Sequence, residues 1–359
     1  MQTLVSETGR DFEISSAATI GDRCGPQEPA VQGASPLSNV MPLATVSTTQ
    51  AFETCQRLRD NMARVMLGKP DVIQNLVVAI LAGQHVLLED IPGVGKTLAA
   101  KSMASSIGGS FSRLQFTPDL LPSDITGSMI YRSETRDFEF KPGPIFANVV
   151  LADEINRAPP RTQSALLEAM SENRVSIDGK THPLPSPFAV IATQNPFEFE
   201  GTYPLPESQL DRFLLRISVG YPQRATERDV LQSHRTGEPV DALEAVVSAD
   251  EVRDAQSLVR EVRVDDRLLD YLLDVVESTR NHDGFQVGVS TRGALAFYRG
   301  CQAMAVTEGR DYVVPDDIKR LAVPVLSHRI TPEGLFQGGN REQVESQISD
   351  LVQQIPVPM

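Results

Sequence analysis

The sequence predicts an α/β fold: a parallel sheet flanked by helices, followed by a smaller all-α lid and preceded by a disordered tail. Three observations carry that expectation. Short Val-, Leu- and Ile-rich runs alternate with helical patterns between residues 69 and 219, the arrangement that parallel strands with crossover helices produce. One of these runs ends in a glycine-rich turn, Pro92-Gly-Val-Gly-Lys-Thr97, that opens a helix. Beyond Pro222 the strand-like runs cease, and apolar residues recur at helical spacing.

Residues 1–48 are rich in Ser, Thr, Pro, Gly and Ala and lack sustained apolar periodicity, so burial cannot offset the entropy of ordering them. Helical order is expected from about Thr49. Val72, Ile73, Leu76, Val77, Ile80 and Leu81 share a helical face over 69–82, with Pro70 at the start and Gly83 past the end. A buried strand over 85–89, the glycine turn and a helix over 97–107 form the strand–turn–helix context that a phosphate loop needs, and Gly108-Gly109 stops that helix. Further strands are expected over 113–116, 148–152, 188–193 and 214–219, and a helix after Pro159-Pro160 carries Leu166, Leu167 and Met170. The stretch 137–146 reads as a hairpin or loop insertion, and 174–179 as a second hairpin. In the last part Leu268, Leu269, Leu272, Leu273 and Val276 share one face, a helix over 291–308 lies between Ser290 and Gly309, and a final helix covers 341–354. The implied division is a tail at 1–48, an α/β core at 49–222 and a helical lid at 223–359.

A chain of 359 residues can bury a core of this size. Its 33 basic against 47 acidic residues, net −14, argue against a broad phosphate-backbone footprint and hence against nucleic acid as a partner. Cys24, Cys55 and Cys301 are odd in number and scattered, offering neither a disulfide framework nor a CxxC metal site. No apolar run is long enough to span a bilayer and no basic-then-apolar leader opens the chain, so the expected location is cytoplasmic.

The glycine turn is the first chemical signal. Glycines let successive backbone N–H groups converge on a phosphate, Lys96 reaches the outer phosphates, and the Thr97 hydroxyl can hold magnesium. The first glycine of the usual pattern is replaced by Asp90, which reads as a variation at the strand–loop junction. The second signal is Asp153-Glu154 at the end of an apolar strand: Asp153 would serve a metal shell, and Glu154 would polarise an attacking water as general base. Asn195 ends the next strand, where open α/β sheets place ligands, and its uncharged amide can orient water or a γ-phosphate. Arg212 and Arg292 could supply charge to phosphates, with Arg216 as the other candidate for the first of these places.

These residues resemble the AAA+ ATPases and, within them, the MoxR family. The matching segments are Pro92-Gly-Val-Gly-Lys-Thr97, Leu151-Ala-Asp-Glu-Ile-Asn-Arg-Ala-Pro-Pro160, Thr162-Gln-Ser-Ala-Leu-Leu-Glu-Ala-Met170, Ala192-Thr-Gln-Asn-Pro196 and Leu205-Pro-Glu-Ser-Gln-Leu-Asp-Arg-Phe213. The segment 309–318 and His328-Arg329 fit as well, so the resemblance spans roughly 50–352. It implies a P-loop AAA+ core with ATP and Mg2+ as cofactors. Pro92, Gly93, Val94, Gly95, Lys96, Thr97 and Leu98 would form the nucleotide loop, and Thr97 and Asp153 the metal ligands. Glu154, Asn195, Arg212 and Arg292 would be catalytic, as Walker B glutamate, sensor 1, arginine finger and sensor 2. The segment near Gly68 would approach adenine. The two hairpins resemble the insertions of a clade that includes magnesium chelatase ATPase subunits and helicases. A finger that serves a neighbour's site implies a ring of identical subunits, commonly a hexamer. The expected activity is ATP-driven remodelling of a partner, often in this family a von Willebrand A-domain protein or a metalloenzyme. A nucleic-acid motor is the alternative, and a nucleotide-binding scaffold without hydrolysis is a third reading that the intact motif set disfavours.

Overall fold

In a computed structural model of the protein, residues 47–196, 201–333 and 341–358 are described. The expected tail lies outside the described residues except for its last two: Ser47 caps the first helix in a reciprocal pairing with Gln50, and Thr48 opens it.

Five strands form one parallel sheet: β1 (Val86–Glu89), β2 (Phe111–Gln115), β3 (Val149–Asp153), β4 (Ala189–Gln194) and β5 (Leu215–Ile217), in the spatial order β2-β3-β4-β1-β5. Successive residues of the inner strands point to opposite faces, and both faces are buried. Val86, Leu88, Val149, Leu151, Ala189 and Ile191 enter one apolar cluster, whereas Leu87, Val150, Ala152, Val190 and Ala192 enter the other. The first cluster is filled by α1 (Thr48–Ala63), α2 (Pro70–Leu81) and α3 (Lys96–Ser106), and the second by α4 (Pro160–Glu172).

Beyond the sheet the longer helices are α5 (Arg224–Ser233), α6 (Ala249–Val259), α7 (Asp266–Arg280), α8 (Thr291–Thr307), α9 (Pro315–Leu326) and α10 (Arg341–Gln354), and short helical turns cover Pro122–Thr126 and Glu207–Leu210. Val252, Tyr271, Phe297, Leu321 and Val344 carry α6 to α10 into the same apolar cluster as α1–α3. The lid is therefore packed on the helices of one sheet face. The sequence predicts an all-α lid, and the structure adds one short strand pair to its helices: Phe285–Val287 pairs antiparallel with Thr331–Pro332. Strands of two or three residues are too short to display alternation.

Both expected hairpins exist. The first pairs Gly127–Arg132 with Asp137–Pro142, so the expected range held only its second strand. Its first strand exposes Ile130 and Tyr131, which removes the one-sided burial that makes a strand legible. The second pairs Arg174–Ile177 with Lys180–Pro183.

One buried polar group joins the sheet to α4. His85 Nε2 lies 3.0 Å from the Met170 carbonyl oxygen, and Nδ1 accepts the Val190 N–H at 3.0 Å, a pattern that needs the neutral ring with its proton on Nε2. Burial lowers its pKa to about 4 from the ordinary 6.5. A depressed folded-state pKa means that the unfolded chain takes up the proton first as pH falls. This contribution is present in full above pH 6.5 and is lost as pH falls toward 4, at a slope approaching 1.4 kcal/mol per pH unit. Urea denaturation over that range should show the slope in the wild type and a flatter one in His85→Gln.

Candidate nucleotide site

The loop after β1 has the backbone its sequence implies. Gly93 and Gly95 stand at φ 86° and 99°, left-handed conformations that glycine adopts without steric cost, and Gly95 caps α3. The N-terminus of α3 carries no acidic residue in its first turn and no side-chain cap, which suits a helix end that meets an anion. A cavity of about 500 Å³ adjoins the loop. Gly93, Val94, Gly95, Thr97 and Leu98 form its floor. Val65, Met66 and Leu67, from the segment near Gly68, line one wall. Tyr221 and Pro222 with Val230 and Leu231 of α5 line the other. Apolar walls above a phosphate loop suit a nucleotide, with the flat base between side chains and the charge at the helix end.

Lys96 Nζ donates to the Asp90 carbonyl oxygen at 2.6 Å, the root of its own loop. Asp90 is more than a tolerated departure from the pattern. It is buried, and its carboxylate accepts from Ile91 N–H at 2.8 Å, from Ser218 Oγ at 2.7 Å and from Gly220 N–H at 2.6 Å.

Asp153 and Glu154 lie at the carboxyl end of β3, one strand from β4 and two from β1. Asp153 Oδ1 accepts from Thr193 Oγ1 at 2.6 Å, and Oδ2 from Arg113 at 2.6 Å. The Arg113 side chain is half exposed, so that contact is easily exchanged. Thr193 Oγ1 also accepts the Glu154 N–H at 2.9 Å. Glu154 has φ 56° and ψ 50°, a left-handed backbone that costs a non-glycine residue about 1–2 kcal/mol. Its carboxylate accepts from Gln115 Nε2 at 2.7 Å and pairs with Arg157 at 3.1 Å. Asn195 follows β4 and is buried. Loop, acidic pair and amide thus leave the same edge of three neighbouring strands.

The donors on offer to a metal are the Thr97 hydroxyl and the Asp153 carboxylate. Few, hard oxygen ligands fit Mg2+, which keeps several waters and completes its shell with phosphate oxygens. Among the described residues there is no group of three or more His, Cys, Asp or Glu that would form a metal cage by itself.

The arginines behave differently from one another. Arg216 points into the chain: its side chain is 12 % exposed, pairs with Glu89 at 3.6 Å and Glu345 at 3.9 Å, and is joined there by Arg341. From β5 it is held against Glu89 of β1 and Glu345 of α10, ion-paired within its own chain. Arg212 donates to the Leu167 carbonyl oxygen at 2.6 Å and to Ser171 Oγ at the end of α4, while its Nε has no partner. Arg292 is exposed in the first turn of α8. Neither lines the cavity of its own chain. They are nevertheless linked: Ser290, the cap of α8, donates to Asp211 at 3.0 Å, and Asp211 is held by Arg329 at 2.8 Å.

Arg113, Gln115 and Thr193 carry no signal in spacing. They are found only once parallel register sets Gln115 beside Asp153, and Ala152 beside Ala192.

Two family models match the chain: the ATPase family associated with various cellular activities over residues 85–215, and the AAA lid domain over 277–351. The chain is 49% identical over 302 residues to the uncharacterised protein YeaC of Bacillus subtilis, a match that covers 84% of this chain and 93% of that one. It is 41% identical over 315 residues to the chaperone MoxR1 of Mycobacterium tuberculosis, covering 85% and 83%. A solved chain from Cytophaga hutchinsonii superposes with a TM-score of 0.77 at 37% identity, covering 87% of this chain and 97% of that one.

Proposed function

Because this chain belongs to the MoxR family of AAA+ ATPases, we propose that it hydrolyses ATP to ADP and phosphate with Mg2+ and uses the cycle to remodel a partner protein. The observation that carries this reading is the convergence of the glycine loop, Asp153-Glu154 and Asn195 at one edge of β1, β3 and β4.

In this reading the loop N–H groups and Lys96 bind the phosphates. Thr97 and Asp153 hold the cation, which neutralises phosphate charge when bound. Glu154, oriented by Gln115 and Thr193, accepts the proton of the attacking water. Asn195 donates its amide to that water or to the γ-phosphate. Arg212 and Arg292, set on one side by the Ser290–Asp211 link and outside their own cavity, act on the site of a neighbouring subunit. That arrangement needs a ring, for which a hexamer is the natural closure. The client is a partner protein, of von Willebrand A-domain or metalloenzyme type. Net −14 leaves a nucleic-acid motor as the weaker reading. Among the described residues no helix is long and apolar enough to cross a membrane, and the proposed location is the cytoplasm.

Lys96→Ala tests the nucleotide site. Hydrogen bonds to charged groups are worth about 1.5–3 kcal/mol, so ATP affinity should fall about 10- to 100-fold by calorimetry. Unchanged affinity would place the nucleotide elsewhere. Crosslinking and mass spectrometry of ATP-loaded Glu154→Gln protein in its native cell would identify the client; recovery of nucleic acid in place of a protein would favour the alternative.

A further inference from the structure

The carboxylate at the head of the loop binds a second segment of the cleft. Asp90 Oδ2 accepts from both Ser218 Oγ and Gly220 N–H, while its own carbonyl oxygen holds Lys96. From the other side Lys69 Nζ donates to the carbonyl oxygens of Gly220 at 3.0 Å and Tyr221 at 2.9 Å. Gly220 is thus gripped by a carboxylate on its N–H and an ammonium on its C=O. It has φ 66°, where a side chain would be strained. The residues that follow, Tyr221 and Pro222, line the nucleotide cavity and lead into α5, whose Val230 and Leu231 line it as well.

We propose that Asp90 is a positioning residue that ties the root of the phosphate loop to the turn at Gly220, so that a change in the loop is passed to the α5 wall of the cleft. The inference rests on the nucleotide site proposed above and is independent of the roles given to Glu154 and Arg212. The path is short. An anion in the loop draws Lys96 away from the Asp90 carbonyl, and the side chain of that same residue holds Gly220. Both carboxylate oxygens accept from donors, so glycine at this position would release the Ser218 hydroxyl and two N–H groups. Asparagine would turn its NH2 group against one of those donors. Burial pushes the Asp90 carboxyl up, but hydrogen bonds from Gly220, Ser218, Ile91 and Val219 outweigh it and hold the carboxyl below its ordinary value, so the acceptor is ionised at neutral pH.

The test uses the full chain as wild type, Asp90→Gly, Asp90→Asn and Ser218→Ala, with the non-hydrolysable analogue AMP-PNP and magnesium as the probe. Calorimetry reads binding, and trypsin reads the α5 wall through the exposed Arg224, Arg228 and Arg235. In the wild type AMP-PNP should slow cleavage at these sites. Asp90→Gly restores the usual loop glycine and should bind within about 3-fold of wild type, yet lose that protection, with kcat down at least about 10-fold and KM little changed. Asp90→Asn should fall between, and Ser218→Ala should show the same change in smaller degree and decides the matter if Asp90→Gly does not fold. Wild-type protection and kcat in the variants would overturn the proposal. So would a wild type whose cleavage AMP-PNP leaves unchanged, or a loss of AMP-PNP binding in Asp90→Gly beyond about 10-fold, which would make Asp90 part of phosphate binding itself. A wild type that binds and is protected but releases no phosphate would fail the ATPase reading and leave this inference standing on the protection data.

Discussion

Glu154→Gln should retain ATP binding and lose turnover by about 10²- to 10⁴-fold, the range over which a positioned general base acts. The substitution keeps the shape of the side chain, and the Gln115 amide can still meet its oxygen. What it removes is the capacity to take a proton. The backbone at Glu154 is left-handed, and Thr193 Oγ1 accepts its N–H while donating to Asp153, so the backbone that carries the side chain is set before substrate arrives. Steady-state phosphate release with parallel calorimetry separates the two effects. A fall in affinity that matches the fall in rate would make Glu154 a binding residue, and undiminished release would remove it from the base role. The same variant should accumulate as an ATP-loaded oligomer, seen as a shift in size on adding ATP.

Arg212→Ala should abolish hydrolysis, with a loss of about 10³- to 10⁵-fold if the guanidinium serves as an arginine finger. Its present partners, a carbonyl oxygen and a hydroxyl at the end of α4, are neutral, and its Nε is unpaired. Leaving them costs about 1 kcal/mol per bond, small beside a phosphoryl charge. Arg216 in contrast would have to break ion pairs to Glu89 and Glu345 inside its own subunit. Mixing distinguishes action in trans from action in cis. When Arg212→Ala subunits are titrated into wild type, activity should drop faster than the wild-type fraction, because each mutant subunit disables its neighbour's site. A linear decline would place Arg212 in its own site, and Arg216→Lys offers a control that should disturb stability before chemistry.

How much of this was legible in the sequence depends on what each residue's signal is made of. The inner strands and the helices around them show in the sequence because both sheet faces are buried there, so Val-, Leu- and Ile-rich runs end abruptly at Asp90, Asp153 and Gln194, where the candidate site sits. Asp153, Glu154, Asn195 and the loop stand out in the sequence by their places at those ends. The first strand of the first hairpin was hidden by its exposed Ile130 and Tyr131, and the pair Phe285–Val287 with Thr331–Pro332 by its length. Thr193, Gln115 and Arg113 were invisible for another reason: their partners lie 40, 39 and 40 residues away and meet them only across strand register. Asp90 reads as a departure because the motif specifies a glycine there, and nothing local announces that Ser218 and Gly220, 128 and 130 residues on, donate to its carboxylate.

If this chain hydrolyses ATP at a site completed by a neighbouring copy, its turnover depends on assembly. The most direct measurement is the rate of phosphate release per subunit in Mg2+ and saturating ATP as protein concentration is raised. The specific rate should be low in dilute solution and rise steeply as subunits assemble, with Glu154→Gln flat throughout. A specific rate that is constant from the most dilute sample upward, or no release at any concentration, would contradict it.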